Sequence, residues 1–229
     1  MELYLLSNSR MPGGEPFDWA IEHLLSQWNG RIRSAAMVPF AGVSLSWDEY
    51  AAWVGNALAP HGIEITSVHL DPTSVESADA IFVGGGNTFH LTYHLHETGL
   101  MSRIREQVRN GKPYMGWSAG ANVAAPTLRT TNDMPIIEPA SFQTLGCVPF
   151  QINPHYSSIV PLGHQGETRD QRLHEFVTAN PTEKVIGLPE GAMIKARDGV
   201  YSAWGQGPLR IFTADNPTGL GTPIESFAG

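Results

Sequence analysis

The sequence has few of the residues that several protein classes require. Its 229 residues include one cysteine, Cys147, so no internal disulfide can form and a reducing compartment, the cytoplasm, is expected. Lysine and arginine total 14 against 22 acidic residues, giving a net charge of −8. Because no basic stripe occurs, we expect no nucleic-acid partner. No apolar run is long enough to span a bilayer, so no membrane partner is expected either.

What the chain does contain is an alternation of short apolar segments and amphipathic segments. The predicted strands lie at 3–6, 35–40, 63–70, 80–83, 148–152 and 184–188. One predicted helix begins at Pro16, and a second follows the capping box Ser46-x-x-Glu49. Further helical segments are predicted at 87–110, with a break near Gly99, and at 170–177. This order predicts an α/β fold with a mostly parallel sheet flanked by helices on both faces.

The C-terminal part of the chain has a different pattern. Apolar segments at 192–196, 200–204 and 210–212, with a turn at Asp198-Gly199, predict a β meander. The sequence shows no internal repeat and no linker long enough to divide it. We therefore expect residues 1–229 to form a single α/β domain.

The segment PYMGWSAGANV at 113–123 carries the most specific motif. Gly116, Ser118 and Gly120 form Gly-x-Ser-x-Gly between an apolar strand and a helix, which is the arrangement of a nucleophile elbow. A sharp turn there would hold the Ser118 hydroxyl clear of both elements, and a side chain at either glycine would collide across the turn. The alternative is an ordinary strand-turn-helix junction in which Ser118 is only an N-cap.

A glycine-rich loop, Gly84-Gly85-Gly86-Asn87, follows the strand at 80–83. It is not a dinucleotide fingerprint, because Phe89 stands where a third glycine is required, and no Gly-Lys-Ser/Thr follows to make a P-loop. One interpretation is a tight turn with Asn87 as an N-cap. The other is an oxyanion loop that supplies one N–H group, with a second from Ala119.

A serine nucleophile needs a base, and the chain has nine histidines. His155 ends a predicted strand and can therefore reach the sheet edge that carries Ser118. His90 and His94 lie four residues apart on one helix, but no third ligand is evident, so we expect no metal. Asp133 or Glu190 could orient the base, although acidic residues beside proline or glycine more often serve turns.

Six ordered motifs, which together cover nearly the whole chain, resemble those of peptidase E, the α-aspartyl dipeptidase family. They are VGGGN at 83–87, GWSAGAN at 116–122, RTTNDMPI at 129–136, QINPH at 151–155, GETR at 166–169 and GLPEG at 187–191. The resemblance implies a class I glutamine amidotransferase-like fold with serine in place of the cysteine nucleophile. It also implies cytoplasmic cleavage of dipeptides with an N-terminal aspartate (Asp-X), without metal or cofactor.

Carried over to this sequence, the resemblance assigns roles to individual residues. Ser118 is implied as the nucleophile, His155 as the base, and Gly86 and Ala119 as the oxyanion donors. Arg169 matches the arginine that grips the aspartyl carboxylate of the substrate, a role that suits the two parallel donors of a guanidinium. Asn87 is a further expected substrate-binding residue.

The choice between the two acids follows from the predicted strands. His155 and Glu190 each come after an apolar strand, so both are expected at the sheet edge of Ser118. Asp133 lies in an irregular stretch. We therefore predict Glu190 as the third triad member, and Asp133 as a substrate-binding or site-shaping residue that activity still needs.

Two other functions stay open. One is a cyanophycinase-like hydrolase of aspartate–arginine peptides, although the NDMP and GETR motifs fit peptidase E better. The other is a non-catalytic module that binds acidic peptides, against which the presence of Ser118, His155 and Glu190 argues. The expected partner is a small peptide, and the sequence is also compatible with a homo-oligomer.

Overall fold

The computed structural model describes residues 1–160, 162–163, 165–216, 219 and 227–228. The strands in chain order are β1 (Glu2–Leu6), β2 (Ser34–Val38), β3 (Glu64–Ser67), β4 (Ala80–Val83), β5 (Tyr114–Trp117), β6 (Gln151–Tyr156), β7 (Val185–Pro189), β8 (Ala192–Arg197), β9 (Val200–Gly205), β10 (Arg210–Phe212) and β11 (Phe227–Ala228). The helices are α1 (Ile21–Trp28), α2 (Trp47–Leu58), α3 (Ser74–Ser77), α4 (Thr88–Glu97), α5 (Leu100–Arg109), α6 (Ala119–Asn122) and α7 (Arg169–Ala179).

Eight strands form the larger sheet, in the order β11-β9-β8-β1-β5-β4-β2-β3. The five strands from β1 to β3 in this order are mutually parallel, whereas β8, β9 and β11 pair antiparallel. A second sheet has the order β10-β7-β6, with β6 and β7 parallel. The predicted mostly parallel sheet is confirmed.

The larger sheet is covered on both faces, as its alternating side chains show. Along β1, Leu3 and Leu5 pack in one apolar core, and Tyr4 and Leu6 pack in the other. Helices α4 and α5 contribute to the first core, and α1 and α2 contribute to the second. Strands that are apolar on both sides are buried in this way, which explains why residues 3–6 of β1 and all of β4 are uninterrupted apolar runs in the sequence.

Several predicted boundaries differ from the structure. Helix α1 begins at Ile21 and not at Pro16, because Phe17 has φ +66° and donates its N–H to the Ser9 carbonyl, so this stretch is a turn. Strand β3 ends at Ser67, where the chain turns. Strand β6 begins at Gln151 and continues through His155.

The predicted C-terminal meander is correct for two of its three strands. β8 and β9 form an antiparallel hairpin beside β1, with the turn at Asp198-Gly199. β10 does not continue this hairpin, since it leaves the larger sheet and pairs antiparallel with β7 in the second one. Gly205, the last residue of β9, has φ +103°, and Gly207 in the connection to β10 has φ +74°, so the chain changes direction here.

Buried side-chain amides and hydroxyls join the second sheet to the larger one. The amide of Asn122, in α6, donates to the Ile152 carbonyl of β6 at 2.7 Å, and the Thr130 hydroxyl donates to the same oxygen at 2.8 Å. Ser7, directly after β1, donates to the Leu188 carbonyl of β7 at 2.9 Å. These contacts fix β6 and β7 against the carboxyl ends of β1 and β5, where ligands of parallel sheets bind.

Candidate active site

The turn at Ser118 has the geometry that the Gly-x-Ser-x-Gly motif predicts. Ser118 has φ +52° and ψ −114°, a conformation that a residue with a side chain rarely adopts, and its N–H donates to the Leu6 carbonyl at 3.0 Å. A Cβ at Gly116 would lie 2.3 Å from the Gly120 oxygen. A Cβ at Gly120 would lie 2.1 Å from the Val83 oxygen. Only glycine fits at these two positions.

Helix α6, which follows the turn, has only four residues. A helix of one turn has a small macrodipole, so it contributes little electrostatic stabilisation to charge that develops near Ser118. What remains is the individual N–H group of Ala119, the first helical residue. In the described part of the chain, neither this group nor the N–H of Gly86 donates to a carbonyl.

The glycine-rich loop lies directly against the turn. A Cβ at Gly85 would lie 3.0 Å from the Ser118 Cβ, so the two backbones approach as closely as glycine permits. Gly86 has φ +134° and packs on the Ala41 carbonyl, which also accepts the Asn87 N–H at 2.8 Å. Gly86 and Ser118 line the same cavity, and the Gly86 N–H donates to no backbone carbonyl of the described residues.

Tyr50 connects the loop to the strand that carries Ser118. Its hydroxyl donates to the Gly85 carbonyl at 2.9 Å and accepts the indole N–H of Trp117 at 3.1 Å. Burial raises the pKa of this phenol well above its usual range, so the hydroxyl stays protonated and both hydrogen bonds persist at neutral pH.

Three side chains form one chain of hydrogen bonds beside the loop. The Ser118 hydroxyl lies 2.7 Å from Nε2 of His155, and Oε1 of Glu190 lies 2.6 Å from Nδ1 of the same ring. A carboxylate can only accept, so Nδ1 carries the proton and Nε2 is free to accept from the serine. These are the distances expected for a nucleophile, a base and the acid that orients it.

A β-bulge directs His155 towards Ser118. The register between β6 and β7 shifts between Pro154 and Tyr156, and His155 between them has φ +53°. A bulge turns one side chain out of the regular alternation. The sequence places His155 and Glu190 on the sheet edge of Ser118, and this is wrong: both come from the second sheet, at β6 and directly after β7.

Ser7 and Asn8, which follow β1, hold these two residues in place. The Ser7 hydroxyl accepts the His155 N–H at 2.9 Å, in addition to its own donation to Leu188. The Asn8 side chain accepts the Gly191 N–H at 2.8 Å, next to Glu190. Both Ser7 and Asn8 are buried. No local motif marks them, because their partners are more than 140 residues away in the sequence.

Asp133 does not contact His155. Its Oδ2 accepts the N–H of Thr88 at 2.7 Å, the hydroxyl of Thr88 at 2.6 Å and the hydroxyl of Thr131 at 3.1 Å. It therefore holds the first residue of α4, directly after the glycine-rich loop. Asn87 caps the same helix and donates its amide to the Met134 carbonyl at 2.9 Å. The geometry fits the site-shaping interpretation of Asp133.

Arg169 is the first residue of α7, and it contacts Asn132, the residue directly before Asp133. Its guanidinium donates to the side-chain oxygen of Asn132, and the Asn132 amide donates to the Pro154 carbonyl at 2.8 Å. Burial lowers the pKa of Arg169, and nearby Arg172 adds to this shift. A lowered guanidinium pKa still leaves the charge in place at neutral pH. The sequence alone does not predict this role of Asn132.

Two cavities meet at His155. The larger, of about 1180 Å³, contains Ser118, the glycine-rich loop and Glu190. The smaller, of about 360 Å³, contains Arg169 and the start of α7. The side chains of His155 and Glu190 are 40% and 50% exposed, so the site is an open cleft and not the enclosed chamber that a restriction to short peptides would predict.

Other candidate chemistry lies outside this cleft. Nε2 of His94 lies 3.3 Å from Nε2 of His90, whose Nδ1 donates to the Phe40 carbonyl. Among the described residues, no three histidine, cysteine or acidic side chains could together hold a metal ion. Cys147 is buried, and burial raises the pKa of its thiol to about 11, which leaves it unreactive.

Comparison with known proteins identifies relatives over most of the chain. The model of peptidase family S51 matches residues 3–203. A peptidase E of Salmonella newport is 47% identical over 217 residues, which are 93% of this chain and 94% of that protein. A peptidase E of Escherichia coli is 46% identical over the same shares.

Solved structures share the fold at lower identity. A Listeria monocytogenes protein has a TM-score of 0.68 at 21% identity and covers 90% of this chain and 98% of its own. A peptidase of an acI-B1 actinobacterium has a TM-score of 0.63 at 19% identity, and the match covers 100% of this chain and 94% of that protein. No helix in the described ranges has the length and apolar composition needed to cross a membrane.

Proposed function

The chain belongs to peptidase family S51, and from that premise we propose that it hydrolyses dipeptides with an N-terminal aspartate. It is a serine-type peptidase, and its relatives are named peptidase E. The observation that carries the proposal is the continuous chain from Ser118 through His155 to Glu190, which lies against the glycine-rich loop. Neither the cyanophycinase-like alternative nor the binding module is favoured by the relatives.

The proposed reaction is acyl transfer. His155 takes the proton of Ser118 through Nε2 while the serine oxygen attacks the carbonyl carbon of the aspartyl residue. The N–H groups of Gly86 and Ala119 hold the oxyanion, and Glu190 keeps the imidazole in place and stabilises its charged form. His155 then gives the proton to the leaving amine. Water, activated by the same base, hydrolyses the aspartyl-enzyme.

Arg169 is proposed to select aspartate. Arg169 lines the smaller cavity together with His155, which also lines the larger one, and Asn132 accepts a hydrogen bond from its guanidinium. A guanidinium in a partly buried site pairs with a carboxylate through two parallel hydrogen bonds, whereas an amide of the same shape offers only one acceptor. This difference would discriminate Asp-X from Asn-X dipeptides.

The test combines substrates with two variants. The wild-type enzyme is expected to cleave Asp-Leu and to leave β-Asp-Leu, Asn-Leu and cyanophycin largely intact. Ser118→Ala should lower Asp-Leu turnover by about 10⁴-fold or more, because the nucleophile is removed. Arg169→Met should lower kcat/KM for Asp-Leu, and the fall should correspond to a loss of about 2–4 kcal/mol in transition-state stabilisation. The preference for Asp-Leu over Asn-Leu should become smaller in the same variant.

Arg172→Met is the matched control, since Arg172 lies one turn further along α7 and pairs with Glu167 at 3.0 Å. It should leave the preference for aspartate unchanged. Ser118→Ala with near wild-type turnover would refute the serine mechanism. An unaltered Asp-to-Asn preference in Arg169→Met would place the specificity elsewhere.

A further inference from the structure

The cleft that contains Ser118 has a cation with no partner. Among the described residues that line it, Arg10 and His155 are the basic side chains, and His155 already binds Ser118 and Glu190. The Arg10 side chain is exposed, and within the described part of the chain its guanidinium makes no hydrogen bond or ion pair. An unpaired guanidinium beside a reaction centre is available for an anionic group of the substrate.

The acids of the cleft do not neutralise Arg10. Glu190 is directed to His155. Glu49 closes the capping box of α2 and accepts both the N–H of Ser46 at 2.9 Å and its hydroxyl at 2.7 Å. Both carboxylates therefore have partners of their own, and neither pairs with Arg10, which lines the same cleft.

The backbone of Arg10 is fixed relative to the triad. The amide of Asn8 donates to the Arg10 carbonyl at 2.9 Å, while its oxygen accepts from Gly191 at 2.8 Å. Asn8 thus bridges the loop of Arg10 to the residue after Glu190. The side chain of Arg10 therefore starts from a fixed point of the cleft wall, which limits how far from Ser118 its guanidinium can meet a substrate.

The remaining wall of the same cleft is apolar. Trp53 is half-buried and packs against Tyr50 and Phe17, with ring centroids 6.0 and 6.3 Å apart. Val43, Leu45 and Ile136 also line the cleft and are exposed to it. An apolar wall next to a single cation matches an amino acid with an apolar side chain and a free carboxylate.

Building on the proposed aspartyl dipeptidase function, we propose that Arg10 binds the α-carboxylate of the leaving amino acid and that Trp53 and its apolar neighbours accept the side chain of that residue. The two cavities then take the two halves of the substrate. Arg169 faces the aspartyl carboxylate on one side of His155, and Arg10 faces the terminal carboxylate on the other. In a longer peptide or an amide, an uncharged group stands where that carboxylate would be, which explains how an open cleft can prefer dipeptides.

The test compares Asp-Leu with Asp-leucinamide, which differ only in the charge of the terminal group. In Arg10→Met, kcat/KM for Asp-Leu should fall roughly 5- to 30-fold, mainly through KM, because a hydrogen-bonded charge is lost. Asp-leucinamide should change less than about twofold, since it never engages that charge. Arg33→Met is the control, an exposed arginine just before β2 at the opposite end of the sheet, and it should change neither substrate.

Three results would overturn the proposal. Equal losses of kcat/KM on both substrates would mean that the substitution had distorted the loop. No loss of kcat/KM on either substrate would mean that Arg10 does not contribute to substrate binding. A changed preference for Asp-Leu over Asn-Leu would mean that Arg10 binds the aspartyl carboxylate instead. These results concern Arg10 alone. Failure of the wild-type enzyme to cleave Asp-Leu would remove the aspartyl dipeptidase function itself, and the proposal with it.

Discussion

At the scale of single residues, Ser118 and His155 both have positive φ angles, +52° and +53°. Such conformations cost about 1–3 kcal/mol each for residues with side chains, and they persist only where the surroundings enforce them. Here the Leu6 carbonyl fixes the N–H of Ser118, and the Ser7 hydroxyl fixes the N–H of His155. The end of β1 thus holds both members of the pair, so the first strand contributes to the site without supplying a reacting group.

Changing each of the two candidate acids to its amide should affect different properties, kcat for Glu190 and the free energy of unfolding for Asp133. Glu190→Gln removes the charge that faces Nδ1 of His155, so kcat should fall by about 10²–10⁴-fold. The melting temperature should hardly change, because the Glu190 side chain is half exposed. Asp133→Asn should instead lower the free energy of unfolding by about 1–2 kcal/mol, since it weakens the cap on Thr88.

Thermal unfolding and kcat for Asp-Leu, measured on both variants, decide between these roles. Asp133→Asn is expected to lose activity through displacement of the glycine-rich loop, in proportion to its loss of stability. If Glu190→Gln kept wild-type kcat while a stable Asp133→Asn were inactive, the two roles would be reversed.

At the scale of elements, the glycine-rich loop has little room for a side chain. A Cβ at Gly86 would lie 2.2 Å from the Ala41 carbonyl oxygen, and the residue has φ +134°. Gly86→Ala must therefore displace the loop from its contact with Ala41, and turnover of Asp-Leu should fall by about 10²-fold or more as an oxyanion donor loses its position. Gly55→Ala is the control, because a Cβ in the middle of α2 meets only Ile65 at 3.8 Å and should be neutral or stabilising.

The measurement is kcat for Asp-Leu, with circular dichroism to establish that each variant is folded. A folded Gly86→Ala with unchanged kcat would exclude Gly86 from the oxyanion site. A comparable loss of kcat in Gly55→Ala would show that the assay reports general destabilisation instead.

Local features of the sequence were sufficient to predict much of this architecture. The β4 boundaries, the capping box at Ser46 and the turn at Ser118 depend on neighbouring residues, and the structure has all of them. The sheet to which β10 belongs could not be predicted, because pairing with β7 depends on tertiary contacts that no local pattern encodes. The positive φ of Phe17 was missed for the same reason.

The site was predictable to the same extent. The sequence indicates His155 and Glu190 through the peptidase E motifs that contain them and through the apolar strands that precede them, yet those strands belong to the second sheet. The residues that join the two sheets, Ser7 and Asn8, make contacts across 148 and 183 positions. Single buried hydroxyls and amides have no sequence signature. Their roles become visible only when the folded chain brings their partners together.

At the scale of the whole molecule, the dependence of stability on pH follows from a few groups. Burial lowers the pKa of His23, and the charge of Lys195 lowers it further. Burial also lowers the pKa of His94, where His90 adds to the shift and Glu97 opposes it. The hydrogen bonds from Arg103 lower the pKa of Glu76, and the backbone N–H of Arg33 lowers that of Asp79.

The signs of these shifts give a two-stage loss of stability on acidification. A histidine whose native pKa is depressed binds its proton more readily in the unfolded chain. Above about pH 6.5 it is unprotonated in both states and does not affect stability, and as pH falls below that value its protonation destabilises the native state. A carboxylate with a depressed native pKa stabilises the fold above its unfolded pKa of about 4, and this contribution disappears as pH falls through the native value.

We therefore expect the melting temperature to decline first between about pH 7 and pH 5, and then more steeply below about pH 4.5. His94→Gln removes one proton-binding site, so the first decline should become shallower while the second is unchanged. His61→Gln is the control, because that side chain is exposed in the turn after α2. Melting temperatures of the three proteins from pH 8 to pH 4 provide the comparison. If the wild-type and His94→Gln curves run parallel between pH 7 and pH 5, the half-buried His94 does not contribute to acid sensitivity, and the first decline must come from another group.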